Sequence, residues 1–360
     1  MEDNQNTLDI IKMYRDTYKT MLITKLQQKT SKYTPFVTWM PGASGKRIEF
    51  NTRGNTEVDF RQTRFETKVP DEMEYGKRCM LPVGISKSMH YSDDDILLKG
   101  EFAMKAADFV EEMTYGFARK SDSLILGTVW DDVNKRWTIA QGNPSLDSRT
   151  SFYKGAAIGG ILGPAYVGEH LNEVETIATT PVLLEGDAYD GSNLDYEQST
   201  VVPVDYTDSG TPTVDTINIP KLMAAMQLME SRDALDDGGV LNVAIHPSMK
   251  YHLMTLPEFR DEKYGYQVLK DGFFNAFLNI RFLVSKQVPK ITINHGGTSK
   301  EVYAVPVWRT EDIYAAWWEN IKFDIVSPSM SYDEIVVSAK GAMGCARRRH
   351  NTVLTIHCAV

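Results

Sequence analysis

Cysteine is scarce in this chain. Cys79, Cys345 and Cys358 are the only three among 360 residues, an odd number without metal-ligand spacing. A disulfide framework or a zinc site is therefore not expected. The three read as small buried hydrophobes in a reducing compartment. Positive charge is also in deficit. With 39 Lys and Arg against 48 Asp and Glu the net charge is −9, which argues against a general nucleic-acid binder, because phosphate affinity comes mainly from counterion release by Lys and Arg. A local basic patch stays compatible with that balance. No stretch approaches the ~18 consecutive apolar residues of a membrane span. The opening MEDNQNTLDIIKMYRD is acidic and polar, without the basic start and apolar run of a secretory signal. Maturation in a cytoplasm is expected.

Catalytic and ligand-binding motifs are missing as well. Gly155–Gly163 (GAAIGGILG) is rich in glycine but lacks the Gly-Lys-Ser/Thr ending of a phosphate-cradling loop. Asp187–Asp195 (DAYDGSNLD) offers oxygen ligands, but its spacing misses the calcium-loop pattern and no Glu closes it. His246 and His252 are six apart with Pro247 between them, which is not zinc-helix spacing. There is no Gly-x-Ser-x-Gly elbow, and nothing singles out a pair of carboxylates. The expectation is a protein that is not an enzyme, with no cofactor and no metal.

What the chain does have is one long amphipathic stretch, Tyr91–Gly127. Ser92 and Asp93 suit an N-cap, and Asp94 and Asp95 put negative charge where the helix dipole favours it. Phe102, Ala106, Phe109, Met113 and Phe117 recur at three- and four-residue steps. About 30 helical residues would make a rod of roughly 45 Å, a spine for sheets to lie on. Before it, Thr7–Lys29 reads as an amphipathic arm with Tyr14 and Tyr18 on its apolar stripe. That stripe packs either on another subunit or on its own domain. From Trp39 to Met89, alternating runs such as Ile48-Glu49-Phe50 and Val58-Asp59-Phe60 predict a long two-stranded β excursion. A hairpin with so few large apolar residues is marginal alone and points to neighbouring subunits.

Asp131–Val214 is the least legible part, with short strands predicted at Trp137–Ile139 and Ser199–Val204. A helix is predicted over Pro220–Leu235, with Asn218 as cap and Gly238-Gly239 as stop. Strands follow at Val240–Ile245, Ile280–Val284 and Val302–Val307, with a short helix over Pro247–Leu256. Three further strand-like runs close the pattern, Ile321–Val326, Ile335–Ala339 and Thr352–His357. Arg347-Arg348-Arg349-His350 is the densest positive cluster. It reads either as a contact for nucleic acid or an acidic neighbour, or as a solvated strand end with intersubunit ion pairs. Trp308, Tyr314, Trp317, Trp318 and Phe323 fit a core better than a base-stacking platform, since few Lys or Arg interleave them.

The order of arm, β excursion, spine helix, irregular insert, second helix, α/β portion and β tail resembles the major capsid proteins of tailed bacteriophages, the Hong Kong 97-type shell fold. Lys68-Val69-Pro70 through Cys79–Val83 into Ser92–Asp95 resembles the excursion returning into the spine. Val243–Met249 and Phe277–Ser285, ending at Val288-Pro289, resemble strands of the family's axial domain. Ala304–Trp308 and Asp324–Val326 resemble the strands that leave it. Lys340–Arg347 with Thr352–His357 is similar to the family's last turn and strand.

The resemblance implies an α+β chain with an N-terminal arm (residues 1–38), an extended β-loop (39–90), a peripheral domain on the spine helix with an irregular insert (91–239), an axial α/β domain (240–320) and a return to peripheral strands (321–360). The implied function is a major capsid protein that forms hexamers and pentamers of an icosahedral shell around phage DNA, assembled in the host cytoplasm. An encapsulin-like compartment shell is the alternative. Partners expected are copies of the chain itself, a separate scaffolding protein, portal and decoration proteins, and packaged double-stranded DNA by weak non-specific contact, with no membrane. Candidate intersubunit contacts are Ile48, Phe50, Val58, Phe60 and Lys68 of the loop, Tyr14 and Tyr18 of the arm, and Arg347, Arg348 and Arg349 of the tail. Some relatives cross-link a loop lysine to an asparagine. Lys46, Lys68 and Lys77 lie in that region, and no cross-link is expected. Deleting Gly42–Val69 is expected to leave a folded subunit that forms no shells.

Overall fold

The computed structural model describes residues 28–53, 75–92, 106–140, 158–170, 173–177, 200–207, 214–235, 238–256, 269–270, 273–274, 279–295, 297–326, 334–349 and 352–360. In chain order, a 3-10 turn (Thr34–Phe36) leads to β1 (Thr38–Trp39), β2 (Ile48–Arg53), β3 (Tyr75–Met80) and β4 (Val83–Ser92). Helix α1 (Ala106–Leu126) ends at a hairpin of β5 (Thr128–Asp131) and β6 (Arg136–Ile139). Then come β7 (Ala165–His170), β8 (Glu173–Ile177), β9 (Val201–Val202) and α2 (Ile219–Glu230). Strand β10 (Leu241–Ile245) enters α3 (Pro247–Leu253), and β11 (Leu269–Lys270) pairs with β12 (Phe273–Phe274). The remaining strands are β13 (Ile280–Val284), β14 (Lys290–His295), β15 (Thr298–Arg309), β16 (Ile313–Val326), β17 (Glu334–Arg347) and β18 (Val353–Ala359). The class is α+β, as expected. Among the described residues no helix is long and apolar enough to cross a membrane.

Two compact units divide the chain. The first comprises Met1–Ser31, Ile85–Lys120 and Ile321–Gly341; the second comprises Lys32–Gly84, Ser121–Asn320 and Ala342–Val360. In the first, the predicted spine stripe packs as its spacing requires. Met113 and Phe117 are buried with Val337 and Ala339, and Phe109, Val110, Ile85, Met89 and Ile321 pack around them. The predicted start of the spine is corrected, because Tyr91 and Ser92 end strand β4. Alternation from Val83 onward outlasts the point where the acidic cap signal begins. Asp93–Lys105, including Phe102, lies outside the described residues.

In the second unit the central sheet has the order β13-β10-β15-β18-β9, with β14 pairing β15. Strand β10 is buried at all five positions, as befits a run covered on both faces. Asn218 caps α2 as predicted, its side-chain oxygen accepting from Lys221 N–H at 3.0 Å, with Pro220 in the first turn. The helix stops at Glu230, earlier than Leu235, and a turn precedes Gly238.

The last turn of α1, Ser121–Leu126, is buried on every side, and the glycine-rich stretch explains how. Ile161 and Leu162 donate their backbone N–H groups to Ile125 O and Leu126 O, both at 2.9 Å. They thereby satisfy helix-end carbonyls that would otherwise have no partner. The approach is too close for side chains. A Cβ on Gly160, which has φ +84°, would lie 2.5 Å from Ile125 O, and one on Gly159 would lie 2.7 Å from Cys345 O. Glycine is needed here for contact between backbones, not for phosphate.

Candidate functional site

Strands β2 and β3 form the root of the predicted excursion. They pair antiparallel from Ile48↔Met80 to Arg53↔Tyr75. Met80 is fully buried with Ala316 and Ala346, and Ile48, Phe50, Met40 and Trp318 pack on this cluster. The Phe50 ring meets Tyr314 edge-on at 5.7 Å. Ile48 and Phe50 therefore spend apolar surface on their own chain, and they serve as anchors of the loop root. Val58, Phe60 and Lys68 lie outside the described residues, as do Tyr14 and Tyr18 of the arm.

The segment from Lys32 onward, which follows the predicted arm, is strapped down. Both carboxylate oxygens of buried Asp122 accept from Lys32 N–H (3.1 and 3.0 Å), and Oδ1 also accepts from Tyr33 N–H at 3.3 Å. Lys32 Nζ donates to Val284 O at 2.8 Å. Buried Tyr33 stacks on buried Trp308, whose Nε1–H donates to Phe36 O at 2.9 Å. Strand β1 then pairs parallel with β16, Thr38↔Tyr314 and Trp39↔Ala315. Lys32, Tyr33 and Trp39 are thereby held on their own chain.

The arginine run does not form one surface. Arg347 is 1% exposed and donates to Ile161 O at 3.4 Å. Burial, reinforced by the positive charge of Arg78, pulls its pKa down to about 9. Arg347 is thus corrected from candidate contact to core residue, because its position on β17 faces the glycine-rich turn. Arg348 lies with its guanidinium 5.7 Å from the Tyr314 ring, and its backbone N–H donates to Asp312 O at 2.7 Å. The structure so gathers Phe50 and Arg348, two of the predicted residues, around Tyr314. Arg349 is more open, its Nε 4.0 Å from Asp312 Oδ1. Burial raises the Asp312 carboxyl above the ordinary carboxylate range, against a hydrogen bond from Thr352 and the charges of Arg349 and Arg309.

A family profile described as phage capsid protein matches residues 178–360. The chain belongs to the phage capsid protein family. Solved structures with the same fold include the capsid of cyanophage P-SCSP1u (10% identity, TM-score 0.56, 96% of this chain and 92% of that one). A chain from Mycobacterium phage Che8 is similar at 11% identity and TM-score 0.57, covering 95% of this chain and 96% of its own. The capsid of Ralstonia phage GP4 aligns at 11% identity and TM-score 0.54, over 96% and 95% of the two chains. No curated protein sequence matches. The expectation of a major capsid protein, located in the virion capsid, holds.

A buried polar centre in this capsid protein escaped the sequence reading. Lys221, on α2, is 0% exposed, and its three ammonium protons go to Val204 O (2.8 Å), Asp215 O (2.7 Å) and Thr216 O (2.9 Å). Burial lowers its pKa, against the pull of Cys358, Asp215 and Asp205. His357, on β18, is 1% exposed, and burial together with the Lys221 charge brings its pKa down to about 4. One signal was available, since Lys221 falls beside Leu222 and Ala225 on the apolar side of a capped helix. The three cysteines are buried as expected. No cluster of metal-ligating side chains occurs among the described residues.

Proposed function

We propose that this subunit assembles as hexamers and pentamers into the icosahedral head shell of a tailed phage. Its role there is structural rather than catalytic. The observation that supports this most is the β2–β3 ladder. Its root is fixed in the subunit by Ile48, Phe50 and Met80, and it continues in register to Arg53↔Tyr75, where residues 54–74 join the strands. In this reading residues 39–90 are the extended loop whose outer part lies over an adjacent subunit, 91–239 with 321–360 build the peripheral domain, and 240–320 build the axial domain. Val58, Phe60 and Lys68 are its outer contacts, with Tyr14, Tyr18, Arg348 and Arg349 as further ones. A separate scaffolding protein, a portal, decoration proteins and weakly held double-stranded DNA complete the set of partners. An acidic wall suits a container that must not grip its polyanion.

The test is replacement of residues 54–74 by Asn-Gly, which closes β2 on β3 as a tight hairpin. Deleting Gly42–Val69 is the poorer variant, because it strips Ile48 and Phe50 from the subunit's own core. The tight-hairpin variant should fold and form no closed shells in electron micrographs, with or without its scaffolding protein. Normal shells would refute the loop's proposed role.

A further inference from the structure

Strands β10 and β13 run parallel and finish side by side. Ile245 pairs with Val284, and Ser285 N–H donates to Ile245 O at 3.0 Å. The chain leaves β10 through His246 and leaves β13 through Ser285 and Lys286, so both exits reach the same edge. The His246 ring stacks on Tyr303 of β15, with centroids 4.7 Å apart and planes 19° off parallel. Lys290, paired in register with Tyr303, places its Nζ 4.9 Å from the same ring. His246 Nδ1 accepts from Ser248 N–H at 3.3 Å, which leaves the ring proton on Nε2 as a donor. Lys286 is exposed. Burial and the charges of Lys290 and Lys286 all hold His246 below its ordinary pKa.

Two lysine ammoniums, Lys286 and Lys290, flank the neutral His246 imidazole, and like charges so placed repel each other. In a chain with 48 acidic and 39 basic residues such a grouping calls for an anion. Tyr303 is 6% exposed and has His246 on its face, so no aromatic surface is left for a base to stack on. Three donors at one point also neutralise too few phosphates to hold a duplex, whose binding grows with the number of phosphates contacted. One or two carboxylates fit. A shell wall brings many copies of the same acidic chain together, so carboxylates arrive from neighbours at high local concentration.

We propose that His246, Lys286 and Lys290 form a carboxylate-receiving point at which a second copy of this chain docks an acidic side chain during assembly. The inference rests on the shell reading above. It is tested on the full chain with three variants: Lys286→Glu alone, Lys286→Glu with Lys290→Glu, and Lys286→Arg with Lys290→Arg. Each is checked for an unchanged thermal melt, and then for shell formation by sedimentation and electron microscopy at low and high salt. Both glutamate variants should melt like the parent yet need about tenfold more protein to form shells. The arginine variant should assemble like the parent, and added salt should weaken the parent more than the double glutamate variant. Lys286→Glu is an exposed change, so it keeps the test open if the double variant does not fold. A parent that forms shells alongside glutamate variants that form them equally well overturns this inference and leaves the shell reading intact. A photocrosslinker at position 286 that captures DNA instead of protein in filled shells overturns it too. A parent that stays dispersed with its scaffolding protein present overturns the shell reading itself.

Discussion

Lys221 holds an ammonium in front of three backbone carbonyls, at Val204, Asp215 and Thr216, and so ties α2 to the segments on either side of residues 208–213. Replacement by methionine keeps the stem and leaves the three carbonyls without their donor. A hydrogen bond from a charged group contributes ~1.5–3 kcal/mol, so Lys221→Met should cost about 3 kcal/mol or more, read as a lower urea midpoint with an unchanged slope. His357 sets a pH dependence. Its folded pKa of about 4 lies below the ordinary value of 6.5, so between those values the unfolded chain takes up a proton that the folded chain refuses. Its contribution is complete above pH 6.5 and shrinks as pH falls toward 4, by at most roughly 3 kcal/mol. Thermal melts between those pH values should fall more steeply in the parent than in His357→Asn. Some of this was legible in sequence, for Asn218 carries a cap's chemistry in its own side chain. Lys221 and Arg347 were not, because a cation in a sequence reads as solvated until its carbonyl partners, brought from other segments, are in place.

Helix α1 shows what an element owes to distant chain. Its apolar face was readable from three- and four-residue steps, and so was its end at Gly127, which has φ +78°. Its burial at that end was not, because Gly159 and Gly160 act through absent side chains. Gly160→Ala would force a Cβ to 2.5 Å from Ile125 O at positive φ, and it should cost about 3 kcal/mol or more, as overpacking adds to backbone strain. Gly42→Ala, at φ +72° with nothing within 4 Å, should cost only about 1 kcal/mol of strain. Urea titrations of the pair separate close approach from conformational freedom. Glycine also misled the strand assignment. Lys340–Arg347 reads as a turn, but it is the second half of β17. Gly344 sits there because a Cβ would meet Leu81 O at 2.5 Å and the Trp318 ring at 2.7 Å. Ile321–Val326 and Ile335–Ala339 are likewise parts of 14-residue strands.

At the scale of the molecule, order along the chain was the legible quantity. The spine and the α/β portion each announce themselves by period, and the order read along the chain pointed to the shell fold. How segments share a sheet was hidden, since pairing across 200 residues leaves no local trace. The structure sharpens the assembly prediction accordingly. The loop root belongs to the subunit, so replacement of residues 54–74 should remove shells while sparing the melt, and deletion of 42–69 should lower the melt itself. The place of β18 has a further consequence. It lies inside its sheet, between β15 and β9, and β1 waits for β16, whose paired residues are synthesised 276 residues later (Thr38↔Tyr314). The sheet that carries His246, Lys286 and Lys290 cannot close until residue 359 has left the ribosome. A nascent chain therefore has no finished wall to offer to the chains emerging beside it on the same messenger.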